Sequence, residues 1–215
     1  MTASLTPALR PFEELVNALT HGLGAVASVA GGAVLITLAA LWGDVWHVVG
    51  ASVFVGSLVL LYTASTLYHA IPYARAKAKL KVFDHCAIYV LIAGTYTPFT
   101  LIGLRGPWGW SLFAAVWAMA VVGIVFKLFT TGRFQVVSTL MYVAMGWVGV
   151  VAAGPMIEAL SPATLGWIVA GGVAYTAGTA FYLSRRIPYA HAIWHLFVLA
   201  GSVCHFAGVV SQLLA

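Results

Sequence analysis

The sequence predicts an all-α, polytopic membrane protein: a seven-transmembrane-helix bundle with its amino terminus cytoplasmic and its carboxyl terminus outside. Three observations predict it. Of 215 residues, 62% are hydrophobic and only 7% charged, with a mean hydropathy of +1.01, against roughly 25% charged residues in a soluble domain. Apolar stretches of about 20 residues, each enough to cross a hydrocarbon core of about 30 Å, follow one another along the chain. The basic residues between them alternate as a fixed membrane orientation requires.

In chain order, Thr6 to Ala18 reads as a short interfacial helix. Pro11 suits a first helical position, Glu13 and Glu14 complement the helix dipole, and Phe12, Leu15, Val16 and Leu19 give an apolar stripe. Arg10 is the one basic residue there, and the apolar run that follows is of full spanning length, which is not the pattern of a secretory signal. The spans are placed at Thr20–Leu41, Val45–Ile71, Val82–Leu104, Trp108–Phe129, Phe134–Ala153, Pro162–Leu183 and Ala190–Leu213. This gives a cytoplasmic segment over 1–19 and one membrane domain over 20–215, with no room for a separate soluble domain.

Nine of the ten Lys and Arg residues lie in the amino-terminal segment or in the even-numbered connections; only Arg105 falls on the other side. Lys and Arg accumulate on the cytoplasmic face, which puts the amino terminus of this multi-pass chain inside. The net charge of +5 is this asymmetry, not a nucleic-acid surface. The run Arg75–Lys81 faces anionic lipid heads.

Small residues recur at four-residue spacing, as in Gly24, Ser28 and Gly32 and in Ala174 with Gly178, so neighbouring helix backbones can approach closely. An oligomer is compatible with the pattern but not predicted by it. Gly94 and Pro98 in the third span suggest a loosened helix, and so a lateral portal. Cys86 and Cys204 lack any Cys-x-x-Cys spacing and read as small packing residues.

Against this background the polar residues converge at one depth. His191 and His195 share one face in the first turns of the last span. Ser65 and His69 lie in the last turns of the second span, and Asp84 opens the third. Three neutral imidazoles with an open position form a common catalytic zinc pattern. Asp84 and Ser65 are placed to hydrogen-bond a water in that position, Asp84 as general base and Ser65 steadying an oxyanion. Blander readings stand beside this one. A single histidine there would bond a backbone carbonyl, Asp84 would cap its helix or pair with Lys79 or Lys81, and Ser65 would bond its own helix. His21 lies at the same depth and reads as a neighbour of the site. His205 is about 15 Å further along its span and reads as packing, while His85 and His47 are not expected as ligands.

These same residues carry a family resemblance. Glu14-Leu-Val-Asn17-Ala-Leu-Thr20-His21, Ser65-Thr-Leu-Tyr-His69, Asp84 with Ile88-Tyr89 and Gly94-Thr-Tyr-Thr-Pro98, and His191-x-x-x-His195 through His205-Phe206 resemble, in order, the motifs of the hemolysin III proteins. These are bacterial members of the progestin and adipoQ receptor superfamily. The resemblance implies a seven-helix bundle holding Zn2+ on His69, His191 and His195, with Asp84 and Ser65 contacting the water on it. Glu14, Asn17 and His21 of the first motif are expected to support these residues from behind.

The superfamily is similar to alkaline ceramidases, zinc hydrolases of a lipid amide. Three functions follow as expectations. The first is a zinc-dependent hydrolase of a lipid amide or ester, with membrane lipids as partners and a lipid amide or fatty acid held in the bundle. The second is a zinc-stapled receptor or regulator of membrane lipid or energetic homeostasis. The third is a pore, for which no span offers a continuous polar stripe.

Overall fold

A computed structural model of the chain describes residues 10–184 and 186–214, and among these residues there is helix and no strand. The helices are α1 (Arg10–Trp42), α2 (Val45–Ala70), α3 (Ala74–Pro98), α4 (Pro107–Thr130), α5 (Gln135–Trp147), α6 (Ala153–Ala159), α7 (Pro162–Tyr182) and α8 (Ala190–Leu213). They pack as a ring in near-sequential order: α1 on α2, α2 on α3, α3 on α4 and α5, α5 on α7, α7 on α8, and α8 back on α1.

Six segments are long and apolar enough to cross a membrane: Pro11–Trp42, Val45–Ala70, Ala74–Gly103, Pro107–Thr130, Gln135–Ala159 and Ala190–Leu213. Helix α7, with 21 residues, reaches about 31 Å at 1.5 Å per residue. Its glycines, threonines and tyrosines make it less apolar than the six. The chain is a multi-pass membrane protein, and its lipid-facing residues, such as Leu23, Val26, Val122 and Phe129, are correspondingly exposed and apolar.

Two helix starts differ from the sequence expectation. The short helix expected over Thr6 to Ala18 has its first residues outside the described ones, and from Arg10 it runs straight on into the first span as one 33-residue helix. No proline or glycine between Pro11 and Gly22 separates them. Likewise α3 begins at Ala74, just past Pro72, instead of Val82. The lysine-rich run is made of good helix formers and simply extends the span. Asp84 therefore sits well inside α3 and does not cap it.

The loosened third span is present, in a specific form. Pro98 has no backbone N–H to give, and α3 passes directly into a π-helical turn over Phe99–Gly103. Gly94 serves contact instead of opening: a Cβ built there would run into the Ser57 side chain of α2. Gly94→Val is accordingly expected to destabilise the bundle by about 1–3 kcal/mol through overpacking, read as a lower melting temperature in detergent. Gly24 does the same for α1, where a Cβ would lie 2.9 Å from Tyr62 and 2.8 Å from Leu199.

The fifth apolar segment is broken between α5 and α6 by a 3-10 turn over Val148–Ala152. The Tyr96 hydroxyl donates to the Gly146 carbonyl at 2.6 Å and accepts from the Gly149 N–H at 3.0 Å. In hydrocarbon no water would satisfy those backbone groups, so a side chain from α3 does.

Helix α3 is the axis of the bundle, the most buried of the six segments. One side of it, with Leu91, packs in a cluster with Leu35, Phe54, Leu58 and Val198; the other, with Tyr89, packs with Leu112, Val116, Tyr142 and Met145. On the non-cytoplasmic side of the sequence reading, Arg105 pairs with Asp44 at 2.7 Å, which accounts for that solitary basic residue. Between α2, α3, α4, α5, α6, α7 and α8 the ring leaves a cavity of about 570 Å³ with a mostly apolar wall. Ser65, Asp84 and His191 line one end of it, and Leu112, Met156 and Leu165 the other.

Candidate metal centre

His69 stands in the last turn of α2, and His191 and His195 in the first turns of α8. The ring packing brings these ends together. The ring centroids form a nearly equilateral triangle, 5.1 Å from His69 to each of the others and 4.7 Å between His191 and His195. One nitrogen from each ring can be chosen so that all three lie within 4.8 Å of one another, a group able to hold a metal ion.

For two of the three rings, hydrogen bonds decide which nitrogen is free. Glu14 accepts from His69 Nδ1 at 3.0 Å and from Lys77 Nζ at 2.7 Å, and Lys77 also donates to the Tyr68 carbonyl. With Nδ1 donating, the neutral ring of His69 keeps its lone pair on Nε2, and that atom is buried without any hydrogen-bond partner. A buried nitrogen with no partner costs free energy unless something fills the role. On His195, Nδ1 lies 3.2 Å from Thr20 Oγ1. The one hydroxyl proton of Thr20 is directed at the carbonyls of Val16 and Asn17, both at 2.9 Å, so toward His195 the oxygen accepts. His195 Nδ1 then donates, and Nε2 again carries the lone pair. Two ligands held by their far nitrogens in this way have the arrangement expected of oriented metal-binding imidazoles, and the donor set fits Zn2+.

Comparison with known proteins fits this geometry into a family. The sequence model of the family described as Haemolysin-III related matches residues 9–206. This chain belongs to the haemolysin III family. Hemolysin-3 of Bacillus cereus is 46% identical to it over 94% of this chain and 92% of the relative. The hemolysin-3 homolog of Bacillus subtilis (strain 168) is 46% identical over 90% and 91%. The human monocyte to macrophage differentiation factor is 28% identical over 92% of this chain and 83% of the relative.

In this haemolysin III chain, Asp84 and Ser65 are both buried and both line the cavity beside His191 and His195. Asp84 forms none of the ion pairs among the described residues, with Lys79 and Lys81 included. Ser65 Oγ makes no hydrogen bond, so it is not spent on its own helix. His21 stacks flat on His195, centroids 3.5 Å apart and planes 11° from parallel, with Tyr62 edge-on behind it at 5.0 Å. Both His21 nitrogens and Asn17 Oδ1, one turn earlier, are buried without partners. His205 Nε2 donates to the Ile168 carbonyl, 3.2 Å away, and the ring packs on Tyr175, far from the three-histidine group. His85 is bonded through Nδ1 to the Lys81 carbonyl and lies 3.3 Å from the Tyr182 hydroxyl.

Sequence reasoning missed Thr20 and Lys77. Both act through partners distant in the chain, 175 residues away for Thr20 and 63 for Lys77, and neither residue type is unusual where it stands. Glu14→Gln is expected to weaken metal affinity about 10–100-fold, since the neutral amide orients His69 less firmly. Titration of the metal-free protein with zinc checks this; unchanged affinity would remove Glu14 from the site.

Proposed function

We propose that this chain is a zinc-dependent hydrolase of a lipid amide or ester, working at the cytoplasmic side of a bacterial cell membrane. The observation that carries the reading is the three-histidine group at one end of a long, mostly apolar cavity, with Asp84 and Ser65 on the same wall. Bound at His69, His191 and His195, zinc would supply a Lewis acid that polarises a carbonyl and acidifies water. The cavity takes the acyl chain and excludes bulk water from the carbonyl. Asp84 takes a proton from the attacking water and returns it to the leaving nitrogen or oxygen, and the Ser65 hydroxyl donates to the developing oxyanion.

The orientation belongs to the same proposal. Seven spans, with α7 as the sixth and Gln135–Ala159 as a broken fifth, put the histidine end on the cytoplasmic side and the carboxyl terminus outside. The 21 residues of α7 and its packing along α8 support this count.

Elemental mass spectrometry of the detergent-purified protein, followed by a screen of acyl amides and esters with and without chelator, tests the function. About one zinc per chain and a chelator-sensitive release of fatty acid is the expected result. Absence of metal from well-folded protein overturns it.

A second reading, a lipid-responsive regulator in which zinc only staples the helices, is favoured by one feature. Through Glu14, the His69 network ties α1, α2 and α3 together independently of any chemistry. Chelation that lowers the melting temperature of a protein inactive on every lipid would support it.

A further inference from the structure

We infer that the cavity takes a lipid whose leaving portion, beyond the scissile carbonyl, carries an anion held by Lys127. This rests on the hydrolase reading of the site and names its substrate class. Lys127 stands in the last turn of α4, where a lysine ordinarily reaches outward to lipid heads. Here it does the opposite. The inward stripe of α4 runs Gly109, Leu112, Val116, Ala120, Gly123, Lys127, and Lys127 is 2% exposed. Its neighbours Leu128 and Phe129 are the residues that face outward.

The side chain lines the cavity at its histidine end, and its ammonium makes no ion pair with any described residue. The chain has only five acidic residues to offer. Glu14 is held by Lys77 and His69, and Asp44 by Arg105. Glu13 lies on α1 and Glu158 on α6, so Asp84 alone among them lines the cavity. Lys81 and Arg133 line it as well, leaving three cations against one carboxylate. A buried, unpaired ammonium is costly, and an anion arriving with the ligand would repay that cost.

The placement decides which part of the ligand is charged. His85, next to Asp84 on α3, lies 3.3 Å from the Tyr182 hydroxyl, and Tyr182 stands beside His191 with ring centroids 6.1 Å apart, so the polar and cationic residues gather at the histidine end of the cavity. The acyl chain has the apolar length of the cavity toward Leu112 and Leu165. The cationic side is then left for the portion beyond the carbonyl. An N-acyl amino acid has this form, with a carboxylate a few atoms past the amide nitrogen; a phosphorylated head offers the same charge. Hydrolysis adds the hydroxyl of water to the carbonyl carbon and its proton to the nitrogen, breaking the C–N bond to give a fatty acid and a free amino acid.

The test compares binding of N-oleoylglycine, neutral N-oleoylethanolamine and oleate to the full detergent-purified chain, by calorimetry, with hydrolysis measured in parallel. Wild type should bind the glycine conjugate about 10–100-fold tighter than the ethanolamide, the value of one charge-assisted contact. Lys127→Met should reduce that preference to about threefold or less, and Lys127→Arg should keep most of it. Equal affinities in wild type, or a preference that survives in Lys127→Met, would overturn the proposal. So would oleate binding as tightly as N-oleoylglycine, because the cation would then read the fatty acid itself. Should Lys127→Met fail to fold, the wild-type series and Lys127→Arg still decide. Because binding is read separately, a charge preference without turnover would sink the hydrolase reading alone.

Discussion

Alanine in place of His69, His191 or His195 is expected to lower bound zinc to near none, from the one per chain expected of the wild type. Zinc on a full set of four protein ligands is worth about 10–16 kcal/mol near neutral pH, so one ligand accounts for about 2.5–4 kcal/mol and its loss for about a hundred- to a thousandfold in affinity. His69→Ala should have the broadest effect. Its imidazole also anchors Glu14, and Glu14 in turn holds Lys77, so α1, α2 and α3 lose a shared contact along with the metal. His21→Ala is the instructive contrast: the ring packs on His195 and Tyr62 and hydrogen-bonds to nothing among the described residues, and the zinc should stay. Elemental analysis of the purified variants reads all four. Full zinc in two or more of the three ligand variants would show that these rings are a hydrogen-bonded cluster and not a metal site.

Asp84→Asn is expected to abolish hydrolysis, by about 10²–10⁴-fold, while the metal remains. The amide keeps the shape and most of the hydrogen-bonding reach of the carboxyl group but cannot take a proton. Asp84 lies well inside α3 and forms no ion pair among the described residues, so the substitution breaks no salt bridge and no helix cap. That makes the comparison of rates clean. Turnover unchanged in Asp84→Asn would remove the carboxylate from the mechanism, and loss of zinc with the activity would instead make Asp84 a ligand.

The composition and spacing carried much of this. An all-helical membrane chain follows from apolar runs and basic connections alone, because in hydrocarbon only structures that satisfy their own backbone survive. The three histidines were legible for a related reason. A polar ring on an apolar helix is expensive, so His69, His191 and His195 stood out individually, and the basic loops placed them at one depth.

Where the reading fell short, the missing information was local or pairwise. The break after α5 depends on Tyr96 reaching two glycines about fifty residues away. The starts of α1 and α3 shifted because nothing in their sequence stops a helix once it has begun. Gly94 looked like a hinge and is a contact, since a glycine's missing side chain has no meaning until its neighbour, here Ser57, is known.

By itself, then, the sequence determined the class of the protein, the spans that carry its polar residues and the residue types able to hold a metal, because burial in lipid penalises polarity one residue at a time. Only the tertiary structure decided which nitrogen of His69 and His195 is free, that Lys127 turns inward, and that a cavity joins the two. Those depend on which helix faces are opposed, and helix faces in a membrane are matched by packing between side chains distant in the chain, which no single stretch records.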